Sequence, residues 1–356
     1  MTPGQFGAAC NGSTDDTTAM QKAINAAAAA DEPLQLPASS TCVISSMLKM
    51  PSGTTIEGHG FGSVLKFTWF DASGSASGGA HYLTNADGSG DSNYTLTNFT
   101  VAGGGTGMPS GLNAEHPNRL TSAVQLHNVT GFTINGIMVR DAPGVSISYL
   151  ASQNGLIENN RVHHSGRDGI TGFASSGLNL AHVTVTNNTI SDVGDDAIAV
   201  DLPQSGTPPR VLPTDITISD NTITGWPNNP NGKQLGRGIA LNGVNGASVT
   251  GNTITNSYSA GIEVSGCTAK WCGATFAKWP ATNITVTGNT ITNAGQNYAG
   301  STEGQNSQPT YGVYVYNSAA PVTISGNTIS NSRSGPVLNA GCTGGCTIQV
   351  SGSSTA

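Results

Sequence analysis

Short strands in which Val or Ile alternates with Thr or Ser recur through most of the chain, and many end at an Asn. Examples are VTVTNNTI, ITISDNTI, ITVTGNTI and VTISGNTI. This period-two alternation predicts β-strands that bury one face. An Asn suits a sharp corner because it tolerates the left-handed conformation, and stacked Asn side chains can bond to one another. We place the corners at Asn135, Asn160, Asn188, Asn221, Asn252, Asn289 and Asn327.

The spacing of these corners varies, from 25 residues between Asn135 and Asn160 to 38 between Asn289 and Asn327. A fixed motif with variable spacing indicates constant coils that carry loops of different length. Beyond each Asn phrase comes a further short strand, such as RDGITGF, DDAIAVD or GRGIALN. Three strands per coil, stacked about 4.8 Å apart, predict a parallel β-helix of about nine or ten coils. A leucine-rich horseshoe is the rival, but its LxxLxL phrase is absent.

One helix is predicted near residues 15–30, where Met20, Ala23, Ile24 and Ala27 share a face. Thr14 or Asp15 can cap it, and acidic residues fall in its first turn. We expect it to cover the N-terminal end of the solenoid, which otherwise exposes its core and a strand edge. The prediction is therefore an all-β solenoid of one domain, residues 1–356, with a cap region at 1–50 and coils at 51–350.

Composition narrows the class of protein. Charged residues make up 9% of the chain and the net charge is −7, which argues against nucleic acid because that partner needs a basic stripe. The sequence contains no run of 18 apolar residues, the length that a membrane-spanning helix needs. The six cysteines suit an oxidising compartment and suggest the pairs Cys10–Cys42, Cys267–Cys272 and Cys342–Cys346. We expect a secreted monomer whose signal peptide has been removed, with no metal and no cofactor.

Candidate chemistry lies on the third strand of each coil. We align these strands on their first inward aliphatic residue, at Val124, Val145, Ile170, Ile198, Ile239, Ile262 and Val313. We expect the residues two positions earlier to point outward, and they include Asp168, Asp196 and Arg237 on three successive rungs, with Asp195 beside Asp196. Stacked carboxylates raise one another's pKa. Glycoside hydrolysis needs one protonated acid and one carboxylate, so we predict that Asp168, Asp195 and Asp196 are catalytic.

Other outward positions of these strands and the neighbouring loops are candidate substrate contacts. Long insertions at 202–213, 226–236, 265–281 and 293–310 border the third strands, as expected for the walls of a cleft. They carry aromatic and Lys residues of the kinds that contact sugar rings, including Trp279. The predicted substrate-binding residues are Arg237, Glu263, Asp201, Asn242, Tyr311, Tyr314, Trp226 and Trp271.

The phrases RDGITGF and VGDDAIAVD resemble the polygalacturonase-like glycoside hydrolases and their dextranase and α-1,3-glucanase relatives. Those right-handed parallel β-helices carry one Asp on a strand and an Asp-Asp pair on the next. The N-terminal FGAACNGSTDDTTAMQKAINAAAA resembles the cap of the broader pectate-lyase-like superfamily. The resemblance implies that Asp195 is the general acid, that Asp168 and Asp196 activate water, and that the anomer inverts. Inverting enzymes leave about 6.5–9.5 Å between their carboxyl groups, which is the separation we expect.

Two departures bear on the substrate. Polygalacturonases have a GHG phrase on the next rung, where this chain has GRG with Arg237. They then grip a uronate with an Arg-x-Lys pair, where this chain reads AGIEVSG with Glu263. Because Glu263 would repel a carboxylate, we expect a neutral glycan such as an α-glucan.

Two alternatives remain open on the same fold. A polysaccharide lyase or uronate epimerase would need a base and charge neutralisation, for which His163, His164, Arg167 and Arg237 are available. A non-catalytic carbohydrate-binding solenoid would need neither. The sequence leaves the sugar, the linkage and endo or exo action open.

Overall fold

The computed structural model describes residues 1–69, 81–86, 90–103, 121–174, 179–202, 211–225, 236–266, 279–297, 309–319, 321–343, 346–349 and 353–354. Trp226, Trp271, the proposed Cys267–Cys272 pair and most of the four long insertions lie outside these residues. The statements below concern the described part of the chain.

The chain winds through three parallel sheets in turn, and a complete coil contributes one strand to each sheet. Sheet 1 has eleven strands among the described residues: Leu34–Gln35, Thr55–Glu57, Asp91–Thr97, Val129–Asn135, Gln153–Glu158, Ala181–Thr186, Thr214–Ser219, Asn245–Thr250, Thr282–Thr287, Val322–Ser325 and Thr347–Ile348. Sheet 2 has twelve: Asn11–Asp15, Ser40–Ile44, Ser63–Phe67, Thr100–Gly103, Met138–Ala142, Arg161–Ser165, Thr189–Val193, Thr222–Thr224, Thr253–Thr255, Thr290–Thr292, Thr328–Ser330 and Ser353–Ser354.

Sheet 3 is the one that carries the candidate chemistry. Its ten described strands agree with the predicted nine or ten coils. They are Leu48–Met50, Leu83–Asn85, Val124–His127, Ile147–Leu150, Ile170–Phe173, Ile198–Asp201, Ile239–Asn242, Ile262–Ser265, Val313–Tyr316 and Val337–Asn339. A short extra pair joins Ser318–Ala319 to Cys342–Thr343. The fold is a right-handed parallel β-helix, as the repeat predicted.

The core runs along the axis of the coils, because the inward side of most strands carries Val, Ile or Leu. Val185 in sheet 1, Ile190 in sheet 2 and Ile198 in sheet 3 are all fully buried in one coil. Identical positions stack on the neighbouring coils, so Ile190 pairs with Val162 and with Ile223. Continuous columns of branched side chains therefore fill the solenoid and fix its register.

A ladder of buried Asn side chains forms the corner between sheets 1 and 2. Each amide donates to the Oδ1 of the next at 2.9–3.0 Å, through Asn160, Asn188, Asn221, Asn252, Asn289 and Asn327. The predicted member Asn135 is wrong, because it lies in a sheet 1 strand and Ile137 takes the equivalent corner position. The left-handed residue is the one before each ladder Asn, as at Asn187 with φ of 54°.

The predicted helix is present, at Thr17–Ala29, and its buried residues are the four expected. Its start was predicted wrongly: Asp16 is the N-cap residue, Thr14 and Asp15 belong to the strand before it, and no acidic residue falls in the first turn. The Gln21 side chain donates to the carbonyl of Lys49 and accepts from its N–H, at 2.7 and 2.8 Å. The helix thereby covers the otherwise open edge of sheet 3.

Two of the predicted disulfides are present. Cys10 pairs with Cys42 and ties the N-terminal segment to a sheet 2 strand, and Cys342 pairs with Cys346 in the last coils. In the described residues, no helix is both long enough and apolar enough to cross a lipid bilayer.

Candidate active site

Sheet 3 presents its outward side chains as a grid of columns. The fully buried anchors Val124, Ile147, Ile170, Ile198, Ile239, Ile262 and Val313 pair from coil to coil. The alignment was therefore wrong by two residues in one coil, where Ile147 and not Val145 is the partner of Val124 and Ile170. The other rungs stand as predicted, and Asp168, Asp196 and Arg237 occupy one column on three successive rungs.

Three carboxyl groups come together just before two neighbouring strands of sheet 3. They belong to Asp168, Asp195 and Asp196, which are here called the carboxylate trio. One oxygen from each lies within 4.8 Å of the others. Their side chains are almost fully buried, with exposed fractions of 2%, 6% and 2%. We expected outward-pointing residues at these positions to be exposed, and that expectation is wrong. These selected oxygens are closer together than the 6.5–9.5 Å expected between the carboxyl groups. The trio is therefore a compact, buried cluster.

Close approach of neighbouring coils brings the trio together. A Cβ at Gly194 would lie 2.3 Å from the carbonyl oxygen of Gly166, and one at Gly169 would lie 2.5 Å from that of Ala197. The backbone N–H of Asp196 donates to Oδ1 of Asp168 at 3.3 Å, which joins the two rungs directly. The glycines that flank the Asp residues are thus required for the geometry.

Arg237 lies between two carboxylates of the same face. Its Nε and Nη2 donate to the two oxygens of Asp196 at 2.8 and 2.7 Å, and its Nη1 donates to Glu263 at 3.0 Å. Its backbone N–H also donates to Asp196, at 3.0 Å. This bidentate, charge-assisted pairing fixes the orientation of the Asp196 side chain. Sequence reasoning placed these residues on one face but did not foresee that they bind one another.

Arg167 is the member of the site that the sequence assigned only to an alternative. Its Nε lies 3.6 Å from Asp168 and 3.8 Å from Asp195, and its guanidinium carbon is 5.8 Å from the ring centre of Phe173. The sequence feature that could have indicated this contact is the position of Arg167 directly before Asp168. A positive charge on each side of the trio lowers the cost of gathering three carboxyl groups.

Burial raises the pKa values of two carboxyl groups of the trio. It raises the pKa of Asp195 well above its ordinary value, and the charges of Asp196 and Asp168 raise it further. Burial also raises the pKa of Asp168, against the opposing effect of Arg167. Asp195 lines a small cavity with Arg237 and Tyr258, and its Oδ1 has no hydrogen-bond partner. The site therefore combines an acid whose pKa is raised, Asp195, with a carboxylate that is paired with Arg237, Asp196.

A second column lies beside the trio and is made of Asp201, Asn242 and Ser265, here called the polar row. Ser265 donates to Asn242, and Asn242 donates to Asp201. Burial raises the pKa of Asp201 to about 7, although Arg237 lowers it. Asp201 and Asn242 were predicted contacts, whereas Ser265 was missed despite its outward position three residues after Ile262.

Tyr314 and Tyr316 lie on the strand Val313–Tyr316, and the predicted Tyr311 lies just before it; the three are here called the tyrosine strip. Neighbouring ring centres are 6.5 and 6.2 Å apart, with planes inclined by 18° and 8°. Tyr314 is the register partner of Glu263. Burial and the charge of Glu263 raise the pKa of Tyr314 to about 12, so its hydroxyl stays protonated at neutral pH.

Three other candidates take part in protein contacts. His163 pairs with Asp192 at 3.2 Å and His164 with Asp141 at 2.8 Å, all on sheet 2. Trp279 packs against the buried pair Ala174 and Leu202.

The trio is also close enough to hold a cation, since each residue offers one oxygen within 4.8 Å of the others. Arg237 already occupies both oxygens of Asp196, however, and Arg167 lies beside Asp168 and Asp195. The donor set therefore favours protons and guanidinium groups over a metal ion.

Comparison with solved structures gives the fold. The surface protein and adhesin PfbA of Streptococcus pneumoniae matches with a TM-score of 0.64 and 13% identity, over 99% of this chain and 98% of that one. An exopolygalacturonase of Thermotoga maritima gives 0.56 and 11%, over 94% and 87%. The A-module of a mannuronan C-5 epimerase of Azotobacter vinelandii gives 0.54 and 17%, over 98% and 100%. No curated protein matches in sequence.

The family comparison covers most of the coils. The family model described as "Right handed beta helix region" matches residues 122–208 and 204–355, which include the trio, the polar row and the tyrosine strip. The chain therefore belongs to the right-handed β-helix family.

Proposed function

We propose that this protein is a secreted glycoside hydrolase that cleaves a neutral polysaccharide, with Asp195 as general acid. The observation that carries the proposal is the division of roles within the trio. Burial and neighbouring charge raise the pKa of Asp195 and so favour its protonated form, while the carboxylate of Asp196 is paired with Arg237. Hydrolysis of a glycosidic bond needs both forms at once.

Water is the proposed nucleophile. Both oxygens of Asp196 accept hydrogen bonds from Arg237, so this carboxylate is poorly placed to attack an anomeric carbon. Asp168 has one buried oxygen without a hydrogen-bond partner, which in this proposal accepts a proton from a water that enters the site with the substrate. In this mechanism Asp168 and Asp196 position and activate the water, Asp195 protonates the leaving oxygen, and the anomer inverts.

The charge of the site supports a neutral substrate. Gripping a uronate requires a free cation, and Arg237 is already bound on both sides by Asp196 and Glu263. Arg167 lies beside two carboxyl groups of the trio. A neutral glycan such as an α-glucan needs hydroxyl contacts instead, which the polar row can supply. Solved proteins of the same fold include exopolygalacturonases, so glycan hydrolysis occurs on this scaffold.

A non-catalytic carbohydrate-binding role is the second candidate, and the near-complete burial of the trio favours it. Buried, paired carboxylates also serve structure alone. A lyase or epimerase is less well supported, because His163 and His164 are engaged by Asp residues on sheet 2.

The test is a screen of dextran, α-1,3-glucan, pullulan, polygalacturonate and alginate for new reducing ends. We expect release from a neutral glucan, and a loss of about 10²–10⁴-fold in Asp195→Asn without loss of glycan binding. An unsaturated product absorbing in the ultraviolet would identify a lyase. Binding with no product from any polymer would identify the non-catalytic role.

A further inference from the structure

An aromatic surface lies on sheet 3 away from the trio. Within the tyrosine strip, Tyr316 is 38% exposed, and Val211 is the other exposed large hydrophobic residue among those the structure describes. Tyr314 and Tyr316 have nearly parallel rings 6.2 Å apart. Large apolar side chains exposed side by side mark binding surfaces, and tyrosine adds a hydroxyl for polar ligands.

This surface is continuous with the candidate active site. Ser265 of the polar row pairs with Tyr316 on the next rung, so the row and the strip share a column. The strand of Asp196 and the strand of the tyrosines are three rungs apart in sheet 3. At about 4.8 Å per rung, that distance is about 14 Å, which exceeds one sugar ring.

The side chains between the two ends suit hydroxyl groups. The polar row offers amide, hydroxyl and carboxyl groups, with its hydrogen bonds running from Ser265 through Asn242 to Asp201. The small residues Ala199 and Ala240 stand at the anchor-plus-one position of the same rungs. Glu263 adds negative charge beside Tyr314. This composition favours an uncharged, hydroxyl-rich ligand over an anionic one.

We propose that the polar row, the half-buried Tyr314 and the exposed Tyr316 form a binding site for a neutral glycan, away from the carboxylate trio. The glycan lies along the axis of the β-helix. Its scissile bond is at the trio, and sugar units several positions further along contact the tyrosines. This site deepens the proposed function, because it makes efficient cleavage depend on substrate length.

Binding is tested in the Asp195→Asn background, so that hydrolysis does not enter the measurement. Affinity electrophoresis through gels containing dextran, pullulan or polygalacturonate compares Tyr316→Ala with Tyr316→Phe, which keeps the ring. We expect retardation by a neutral glucan, a rise in Kd of about tenfold for the Ala variant, and little change for Phe. Thermal unfolding of each variant verifies folding.

Length dependence is tested in the otherwise wild-type chain with isomaltose to isomaltoheptaose, or the matching series for the glucan that the screen identifies. We expect kcat/KM to rise with length in the wild type and in Tyr316→Phe, and to rise much less in Tyr316→Ala. Equal binding by Tyr316→Ala, binding to polygalacturonate alone, or binding to no polymer would overturn the proposal. Tyr316-dependent binding without any hydrolysis would uphold this site and refute the hydrolase.

Discussion

Arg237 grips both carboxylate oxygens of Asp196, with Nε at 2.8 Å and Nη2 at 2.7 Å, while its Nη1 bonds Glu263 at 3.0 Å. The guanidinium is thus a bridge between two buried acids on different rungs. An Arg on this face looks from sequence like a substrate contact, but its bonds give it a positioning role for Asp196.

Arg237→Ala should therefore damage both stability and turnover. It leaves Asp196 and Glu263 buried without their counter-ion, which costs about 3–5 kcal/mol of unfolding free energy. It also removes the side-chain hydrogen bonds that position both oxygens of Asp196, so kcat should fall along with kcat/KM. Urea denaturation and steady-state kinetics check both effects. Glu263→Gln, which keeps the Arg237–Asp196 pair, is the matched control and should retain kcat within a few-fold. A pure increase in KM at unchanged stability would contradict this role.

The first product released should have the inverted anomeric configuration. Both oxygens of Asp196 accept hydrogen bonds from Arg237, so this carboxylate is poorly placed to attack the sugar and water attacks instead. NMR of the initial product measures the configuration before mutarotation. A retained anomer would mean that one of the Asp residues attacks the sugar directly.

Stability should decrease as the pH rises towards neutrality. The pKa of Asp201 is raised to about 7 in the fold, against about 3.9 in an unfolded chain. Between these values the folded state holds a proton that the unfolded state has released, so the free energy of unfolding falls with pH. The raised pKa values of Asp168 and Asp195 act in the same direction.

Asp201→Asn should remove its share of this loss. The variant should match the wild type near pH 4 and exceed it above pH 7, by at most about 4 kcal/mol. Chemical denaturation across the pH range measures the difference, and Asp31→Asn at an exposed position controls for the lost charge. A constant difference at all pH values would rule out this linkage.

The Cys10–Cys42 bond should contribute most of the disulfide stabilisation of the N-terminal cap. It closes a long loop, with a sequence separation of 32, whereas Cys342–Cys346 has a separation of 4. Replacing Cys10 and Cys42 by Ser should lower the free energy of unfolding by about 2–4 kcal/mol, and replacing the C-terminal pair should cost less. Denaturant titration of both double variants tests the order.

Much of the fold could be read from the sequence because period-two alternation and corner Asn residues are local signals. They place Asp168, Asp196 and Arg237 in one column correctly. The errors have physical causes. In PGVSISY both Val145 and Ile147 are buried, so alternation alone cannot choose the register. In FTINGI the Asn ends a strand while Ile137 takes the corner.

Burial of the site was not predictable in the same way. Alternation shows which side of a sheet a residue takes, but not what covers that side. The close packing of the turns around Gly169 and Gly194, and the pairing of Arg237 with Asp196, depend on contacts between residues from different coils. The same limit hid Ser265 and Arg167, whose importance rests on their neighbours.

The asparagine ladder makes one coil the natural unit of change in this protein. Each ladder side chain donates to the rung on one side and accepts from the rung on the other, as Asn221 does between Asn188 and Asn252. Duplicating or deleting a whole coil preserves that pattern, whereas a partial insertion breaks it. A coil duplicated between Glu263 and Tyr314 would carry the tyrosines one rung further from Asp196. Duplication of a single coil at this place would thus lengthen the distance between the carboxylate trio and the tyrosine strip.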